Sequence, residues 1–323
     1  MRLHKFIIIS LIVTAIVGLI WLGSGYLFMK KAIDNYPTRI KASTLEVMKK
    51  NKELDTNWYN SLRKKDITII SSIDGIRLQG TIIYNPTPTK NTIVFSHGIT
   101  EDRWSVLKGQ RLQNYLKQGY NVLTFDQRAH GKSEGANPTY GFLEKRDLDQ
   151  WVDTVARIFP NGVIGVEGVS MGAAIAVLHA GEINPQKKSP KKVAFYVFDS
   201  PYTDLEEQLS VRLNKDYHLP NLALTTSLNI LNRTINGFSI NAVSPIKAAN
   251  RIDVPVLFVH GMADTYVPTY MSEELYEVVK SPKMLYLVPN ARHAQVPATD
   301  SSYWKIHNEF IYKKAKQDRQ KVH

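Results

Sequence analysis

The sequence contains no cysteine among its 323 residues. This absence excludes disulfide bonds, thiolate metal sites and a cysteine nucleophile. It leaves the compartment open, because a secreted protein can fold without disulfides. Internal repeats and low-complexity tracts are also lacking, and a composition with 43% hydrophobic and 22% charged residues is that of an ordinary globular protein. Collagen-like and wholly disordered chains are therefore excluded.

Acidic residues are fewer than basic ones: 29 Asp and Glu against 41 Lys and Arg give a formal net charge of +12. Such an excess favours anionic partners such as nucleic acid, anionic lipid or cell-wall polymer. The sequence contains no nucleic-acid-binding module and no basic stripe with interleaved aromatic residues, so we predict no nucleic-acid partner. Lysines cluster beside the N-terminal hydrophobic segment and at the C-terminus, which favours attraction to a membrane surface. A solvated basic face without a partner explains the same charge equally well.

One long hydrophobic run, from Phe6 to Met29, contains no charged residue. As a helix it would be about 36 Å long, which is enough to cross a bilayer. Trp21 and Tyr26 lie toward its end, where aromatic residues border a membrane. We therefore predict that residues 1–30 are a single-pass membrane anchor. A cleaved signal peptide is the alternative, although the run is longer than is usual there and no A-x-A site follows it.

The side of the membrane on which the rest of the chain lies is indicated less strongly. Lysine and arginine flank the hydrophobic run on both sides, and the C-terminal flank is the richer one, which by itself favours a cytoplasmic domain. A five-residue leader before such a run is typical of an uncleaved signal that exports the remainder of its chain. On this ground we predict an extracytoplasmic domain.

The chain beyond the hydrophobic run changes character at residue 66. We predict that residues 31–65 are a polar, partly helical spacer and that residues 66–323 form one large domain. Two apolar runs around Asp74-Gly75 predict an antiparallel hairpin that opens a sheet. Further apolar runs without polar alternation are typical of parallel strands covered on both faces. They lie at residues 92–96, 121–125, 163–167, 193–198, 256–259 and 284–288.

Helical patterns alternate with these runs, which predicts an α/β fold with a mostly parallel, doubly wound sheet. The clearest pattern places six apolar residues on one helix face: Leu148, Trp151, Val152, Val155, Ile158 and Phe159. The connection from Asp199 to Pro255 is longer than one helix and its loops require. Its leucine-rich part, at about 201–245, predicts a small helical cap; ordinary helices packed on the sheet are the alternative.

The sequence GVSMG at residues 168–172 is the strongest chemical signal in the chain. It matches the pattern G-x-S-x-G, and it lies between a predicted strand and a helix of small residues, which is the context that this motif requires. The sharp turn leaves no room for side chains two positions from the serine, so Gly168 and Gly172 shape the site. We predict that Ser170 is a nucleophile exposed at a helix N-terminus.

A serine hydroxyl needs a base, and the base needs an orienting carboxylate. His293 follows the last predicted strand and lies downstream of the serine, so we predict that it is the base rather than a surface-loop histidine. Asp264 follows a strand end and a turn, and we predict that it is the carboxylate. Asp199, at the end of the preceding strand, is its competitor.

The oxyanion of an acyl-transfer reaction needs two backbone N–H donors. We predict that Met171 supplies one, because it directly follows the nucleophile, and that Ile99 supplies the other from the loop after the strand at 92–96. His97 and Gly98 shape that loop. The stretch from Asp126 to Ser133 is predicted to brace the site without taking part in chemistry.

Five motifs occur in family order: HGI, D-x-R-x-H-G-x-S, GVSMG, HGMADTYVP and the final histidine. From about Asp66 to its C-terminus the chain resembles the α/β-hydrolase superfamily, and within it the bacterial hydrolases similar to monoglyceride lipase and serine aminopeptidase, some of them membrane-anchored. The resemblance implies the α/β-hydrolase fold and a Ser-Asp-His triad, but it says little about substrate. Two residues depart from the family pattern: Ala129 replaces a usual glycine, and Arg292 replaces the glycine that often precedes the histidine.

Three functions remain open from the sequence. The first is a serine hydrolase that cleaves small-molecule carboxylic esters, acyl or aromatic, through an acyl-enzyme, with no metal and no organic cofactor. The second is a peptidase or amidase on the same triad, for which acidic cap residues could bind an amino terminus. The third is a catalytically inactive scaffold that only binds a ligand. The complete set of predicted reacting groups argues against this third function.

Overall fold

The computed structural model describes residues 2–30, 43–187, 193–217 and 221–320. The strands are β1 (Lys64–Ile70), β2 (Arg77–Ile83), β3 (Thr92–Ser96), β4 (Asn121–Phe125), β5 (Ile164–Val169), β6 (Phe195–Asp199), β7 (Val256–Gly261) and β8 (Lys283–Val288). The α-helices are α1 (Arg2–Met29), α2 (Thr44–Lys50), α3 (Thr56–Ser61), α4 (Arg111–Lys117), α5 (Glu144–Ile158), α6 (Met171–Leu178), α7 (Leu205–Tyr217), α8 (Asn221–Ile235), α9 (Pro245–Ala249), α10 (Tyr270–Val278), α11 (Val296–Thr299) and α12 (Tyr303–Gln320).

These strands form one sheet in the spatial order β1-β2-β4-β3-β5-β6-β7-β8. β1 runs antiparallel to β2, and β2 antiparallel to β4, whereas the other neighbouring pairs are parallel. Hydrophobic clusters cover both faces: Val94 of β3 lies in one cluster, and its neighbours Ile93 and Phe95 lie in the other. The predicted mostly parallel α/β sheet, with a hairpin at its start, is confirmed.

The carboxyl ends of the central strands meet at one edge of the sheet. β5 continues beyond its predicted end because Gly168 and Val169 pair with Phe198 and Asp199 of β6. β7 runs parallel to β6 and ends at Gly261. Residues that directly follow β5 and β7 are therefore neighbours in space although they are far apart in sequence.

α5 packs on the sheet through the apolar face that its sequence predicts. Leu148, Trp151, Val152 and Val155 are buried, but Ile158 is 41% exposed. At about 100° per residue, Ile158 falls about 70° from the middle of this face, so it lies at the margin of the face. The predicted burial of Ile158 is therefore wrong.

The predicted spacer at 31–65 is described only from residue 43 onward, and residues 31–42 lie outside the described residues. In the described part, α2 and α3 bury Leu45, Met48 and Tyr59, which join the hydrophobic cluster that contains Phe95. The positions between them are mostly exposed and polar, and they include Lys49, Lys50 and Lys52. The segment therefore has a helical, amphipathic arrangement that packs against one face of the sheet.

The region predicted to be a cap contains α7 and α8, and residues 218–220 between them lie outside the described residues. α7 buries Leu205 and Leu213. The guanidinium of Arg212 stacks over the ring of Tyr266, 4.4 Å from its centroid. α7 thus touches the loop that follows β7.

α1 contains a segment, His4–Leu27, that is long and apolar enough to cross a membrane. Most of its side chains are exposed, but Gly25 and Met29 near its C-terminal end are buried. A β-carbon at Gly25 would lie 2.7 Å from the Cβ atom of Ser227 in α8. The two helices therefore approach each other at a distance that only small residues allow.

Candidate active site

Ser170 lies in the tight turn between β5 and α6, with φ of 56° and ψ of −121°. A residue with a side chain seldom adopts this conformation, which persists because the surrounding contacts fix it. Space around the turn is equally restricted. A β-carbon at Gly168 would lie 2.7 Å from Ala173 Cα, and one at Gly172 would lie 2.6 Å from the carbonyl oxygen of His97. Both positions therefore require glycine.

His293 lies between the hydroxyl of Ser170 and the carboxylate of Asp264. Its Nε2 atom is 2.8 Å from Ser170 Oγ, and its Nδ1 atom is 2.6 Å from Asp264 Oδ2. Since a carboxylate only accepts, Nδ1 carries the proton and Nε2 is free to accept the serine proton. The structure thus brings together the nucleophile, base and carboxylate that the sequence predicts, in the order that proton transfer requires.

Asp264 accepts hydrogen bonds from four donors. The backbone N–H groups of Tyr266 and Val267 donate to Oδ1 at 2.8 and 3.0 Å, and His260 and His293 donate to Oδ2 at 3.1 and 2.6 Å. Burial raises the pKa of Asp264, but the hydrogen bonds from His260 and His293 outweigh burial and hold this pKa well below its usual range. The side chain is therefore a buried carboxylate at neutral pH.

Asp199, the competing carboxylate, has other partners. It forms an ion pair with Arg111 and accepts a hydrogen bond from Ser200 Oγ at 3.0 Å. Its backbone oxygen accepts from the Ser170 N–H at 2.8 Å. Arg111 also binds Glu167 at 2.9 Å, so this ion cluster lies directly behind the serine turn rather than beside the imidazole.

The predicted oxyanion loop lies against the serine. A β-carbon at Gly98 would be 3.4 Å from Ser170 Cβ, and Ile99 lines the same pocket. Met171 is the first residue of α6, where a backbone N–H has no acceptor within the helix. His97 is fully buried, and its Nδ1 atom is 2.7 Å from the Gly98 carbonyl oxygen. Burial lowers the pKa of His97 to about 4, so its ring is neutral.

The stretch from Asp126 to Ser133 braces this loop from below. Gln127 N–H donates to His97 Nε2 at 3.0 Å, and the ring of His130 lies 2.7 Å from the Ile99 carbonyl oxygen. Ala129, where the family resemblance implies glycine, has φ of 59°. This departure from the family pattern therefore occurs at a left-handed residue, where a side chain is strained.

A cavity of about 270 Å³ opens beside the serine and the imidazole. Its walls are mainly apolar, with one carboxylate, Glu101, which pairs with Lys108 at 2.7 Å. The pocket-lining residues are Gly98, Ile99, Thr100, Glu101, Val169, Ser170, Tyr266, His293 and Ala294. Such a cavity has room for a small organic group.

Sequence reasoning missed Tyr266, Glu101 and His260. The ring of Tyr266 lies 5.0 Å from the ring of His293, and Gln208 of α7 donates to the Tyr266 carbonyl oxygen at 2.9 Å. Each of the three lies within four residues of a predicted site residue, which is the signal that could have found them. Their side-chain directions depend on loops whose conformations no periodic pattern specifies.

Comparisons with known proteins identify the family of this chain. Residues 87–245 match the family model described as serine aminopeptidase, S33. Over 314 residues the chain is 33% identical to the uncharacterized protein YqkD of Bacillus subtilis, covering 96% of this chain and 94% of that protein. It is 26% identical over 260 residues to human monoglyceride lipase, covering 71% of this chain and 84% of that lipase.

Among solved structures, the esterase Pf2001 of Pyrococcus furiosus superposes with a TM-score of 0.63 at 28% identity, covering 80% of this chain and 96% of that one. Sequence similarity that extends over almost the whole chain and a shared fold lead to the same assignment. The chain belongs to the α/β-hydrolase superfamily, and it is a hydrolase of the esterase, lipase and peptidase type.

Proposed function

We propose that the protein is a serine hydrolase that cleaves carboxylic esters of small acyl or aromatic groups. Ser170 is the nucleophile, His293 the general base and acid, and Asp264 the orienting carboxylate. The observation that carries this proposal is the unbroken chain of hydrogen bonds from Ser170 Oγ through both ring nitrogens of His293 to Asp264 Oδ2. This is the geometry that activates a serine hydroxyl.

The reaction proceeds through an acyl-enzyme. His293 Nε2 takes the hydroxyl proton as Ser170 Oγ attacks the ester carbonyl carbon, and the imidazolium then gives this proton to the departing alcohol oxygen. Water next loses a proton to Nε2 as its oxygen attacks the acyl carbon. The tetrahedral intermediate collapses, Nε2 returns the proton to Ser170 Oγ, and the carboxylic acid leaves.

Backbone N–H groups stabilise the oxyanion in both halves of the reaction. We assign Ile99 and Met171 to this role, because Ile99 lines the pocket beside the serine, Met171 directly follows the serine, and neither donor requires a side chain. His97 and Gly98 hold the Ile99 loop against the serine. Losing one such donor typically lowers the rate by about 10²- to 10³-fold.

An ester substrate is favoured over an amide for two reasons. The relatives include a monoglyceride lipase and an esterase, and the cavity walls are mainly apolar. A peptidase would use acidic cap residues to bind an amino terminus. In this protein Tyr270 and Thr203 donate to Glu207, and Arg212 pairs with Asp216 at 2.6 Å, so two of the three acidic residues of α7, Glu206 being the third, already have partners.

A peptidase or amidase remains the second candidate, because the matching family model is described as a serine aminopeptidase. The test compares p-nitrophenyl esters of increasing acyl length and phenyl acetate with aminoacyl p-nitroanilides, using the full-length protein and Ser170→Ala. We expect ester hydrolysis that Ser170→Ala abolishes, with little or no anilide cleavage. Faster anilide than ester hydrolysis would overturn the ester assignment.

We further propose that α1 is retained as a single-pass anchor and that residues 66–323, with their cap at about 201–245, form an extracytoplasmic catalytic domain. The support for retention is the close approach of Gly25 to Ser227, because a segment destined for removal needs no fitted contact with the mature domain. Mass analysis of the protein isolated from membranes tests it: the intact N-terminus is expected, and loss of α1 contradicts the anchor.

A further inference from the structure

A second histidine contacts the same carboxylate oxygen as His293. His260, near the carboxyl end of β7, is fully buried. Its Nε2 atom lies 3.1 Å from Asp264 Oδ2 and 3.0 Å from the Val267 carbonyl oxygen, and its Nδ1 atom lies 2.6 Å from Ser272 Oγ. Asp264 Oδ2 is thus shared by two imidazole rings.

The hydrogen-bond partners determine where the proton on His260 resides. A carboxylate oxygen and a carbonyl oxygen only accept, so Nε2 must donate to them. A hydroxyl group can donate or accept, so the Ser272 hydroxyl donates to Nδ1 when the ring is neutral. His260 therefore presents a fixed N–H donor to Asp264.

We propose that His260 is a positioning residue for hydrolysis, whose Nε2–H holds the Asp264 carboxylate in place and limits how strongly that carboxylate attracts the proton of His293. This inference rests on the function proposed above. His260 does not touch the substrate or the reacting atoms. It acts through Asp264 and thereby through the basicity and orientation of His293.

The chemical consequence follows from the charge of Asp264. A hydrogen bond to a carboxylate spreads its negative charge, so less charge is available to stabilise the imidazolium form of His293. Without the donor, Asp264 stabilises this imidazolium more strongly, and the neutral base forms only at higher pH. The carboxylate also loses one of its four hydrogen-bond donors, so the remaining three hold it less firmly in place.

Other groups that face His293 must stay constant in a test of this role. His293 lowers the pKa of Asp199 in β6 electrostatically, and Arg111 is paired with Asp199. Tyr266 stacks beside the imidazole from the loop after β7. Substitution of His260 replaces none of these three residues, so a change in the pH dependence of kcat/KM reports on Asp264.

Two substitutions of His260 by amide side chains of different length form the matched test. In His260→Gln the amide nitrogen lies near the former Nε2 position and can still donate to Asp264. In His260→Asn it ends near the former Nδ1 position and cannot reach. The dependence of kcat/KM on pH is measured for p-nitrophenyl acetate with the full-length protein, because its acid limb reports the ionisation of the base in the free enzyme.

We expect His260→Asn to lower kcat/KM by about 10- to 100-fold, the loss that removal of a hydrogen-bond partner behind a functional side chain causes at metal sites. Its acid limb should move to higher pH by about half a unit. His260→Gln should recover most of the activity and the wild-type limb. If His260→Asn does not fold, His260→Leu, which also lacks a donor, takes its place.

Equal losses in the Gln and Asn variants with an unmoved acid limb would show that His260 only fills space, and would overturn this inference. No loss in either variant would overturn it as well. A wild-type protein that hydrolyses no ester is a different result, because it removes the proposed function itself.

Discussion

A β-carbon at Gly261 would collide with the carbonyl oxygen of Ala291. Gly261 ends β7, and Ala291 is fully buried in the loop that carries His293. The N–H of Ala263 donates to the same Ala291 carbonyl oxygen at 3.0 Å. The imidazole can therefore reach the carboxyl end of β7, and with it Asp264, because residue 261 has no side chain.

The first prediction concerns Gly261→Ala. The neighbouring atoms are backbone atoms, so the loop must move away from β7 and carry His293 with it. A displacement of about 1 Å at a reacting group lowers rates about 100-fold, and we expect at least that loss in kcat/KM. Ester hydrolysis under conditions in which the variant remains folded measures it.

Gly119→Ala is the matched control for this experiment. A β-carbon at Gly119 would meet no atom within 4 Å, but φ of 80° makes a side chain strained there. This variant should lose stability while it keeps wild-type kcat/KM. Wild-type activity in Gly261→Ala, or an equal loss in both variants, would contradict the role assigned to Gly261.

The second prediction concerns Ala129→Gly. Ala129 has φ of 59°, and the left-handed region costs a residue with a side chain about 1 kcal/mol or more relative to glycine. Because glycine relieves this strain, we expect the free energy of unfolding to rise by about 1 kcal/mol. Urea unfolding of both proteins tests this, and a lower midpoint for Ala129→Gly would contradict it.

The third prediction is a pH dependence of stability that depends on His307. This side chain is fully buried, with Nε2 3.1 Å from Tyr115 Oη. Burial lowers the pKa of His307 to about 4, whereas an unfolded histidine titrates near about 6.5. Between these values the unfolded chain binds the proton and the folded chain does not. Stability is therefore present above about pH 6.5 and is lost as the pH falls toward 4.

For one such group the loss between pH 7 and pH 5 is about 2 kcal/mol. His307→Gln lacks this titration, so its free energy of unfolding should decrease less over the same interval. His97, whose pKa is shifted in the same direction, is present in both proteins, so the difference between them isolates His307. Identical pH dependence of urea unfolding in the two proteins would rule out this contribution.

The fourth prediction concerns the contact between α1 and α8. Gly25→Leu keeps α1 apolar but places a side chain where Ser227 lies, so it should separate the helices. Gly23→Leu is the matched control, because a β-carbon at Gly23 would meet no atom within 4 Å. In membranes we expect Gly25→Leu alone to make α8 more sensitive to proteolysis. Equal sensitivity of the two variants would contradict the contact.

Much of the fold follows from local patterns in the sequence. The parallel strands are short apolar runs, and the GVSMG turn shows where β5 ends, so the places of Ser170, Asp264 and His293 follow from motif order. The prediction for Ile158 is wrong because this residue lies at the margin of its helix face, where one residue of phase decides burial. The periodicity of apolar residues predicts which face of a helix is buried, but it predicts the margins of that face poorly.

Contacts between distant segments could not be predicted in this way. Nothing in the sequence near Gly25 indicates Ser227, and nothing near His260 indicates that its ring shares an oxygen of Asp264 with His293. Such pairs depend on how whole helices and strands pack against each other. The positions of loop residues such as Tyr266 depend on this packing as well. Motifs therefore predicted which residues meet at the candidate site, while the residues that hold them in place required the structure.

The reactivity of Ser170 is the central claim, and labelling with a fluorophosphonate measures it most directly. Ser170 Oγ attacks phosphorus, fluoride leaves, and His293 takes the hydroxyl proton, so the intact mass rises by one phosphonyl group. We predict that the folded wild-type protein is labelled at Ser170, that Asp264→Asn is labelled much more slowly, and that Ser170→Ala is not labelled. A folded wild-type protein that stays unlabelled, or labelling that persists in Ser170→Ala, would contradict the account.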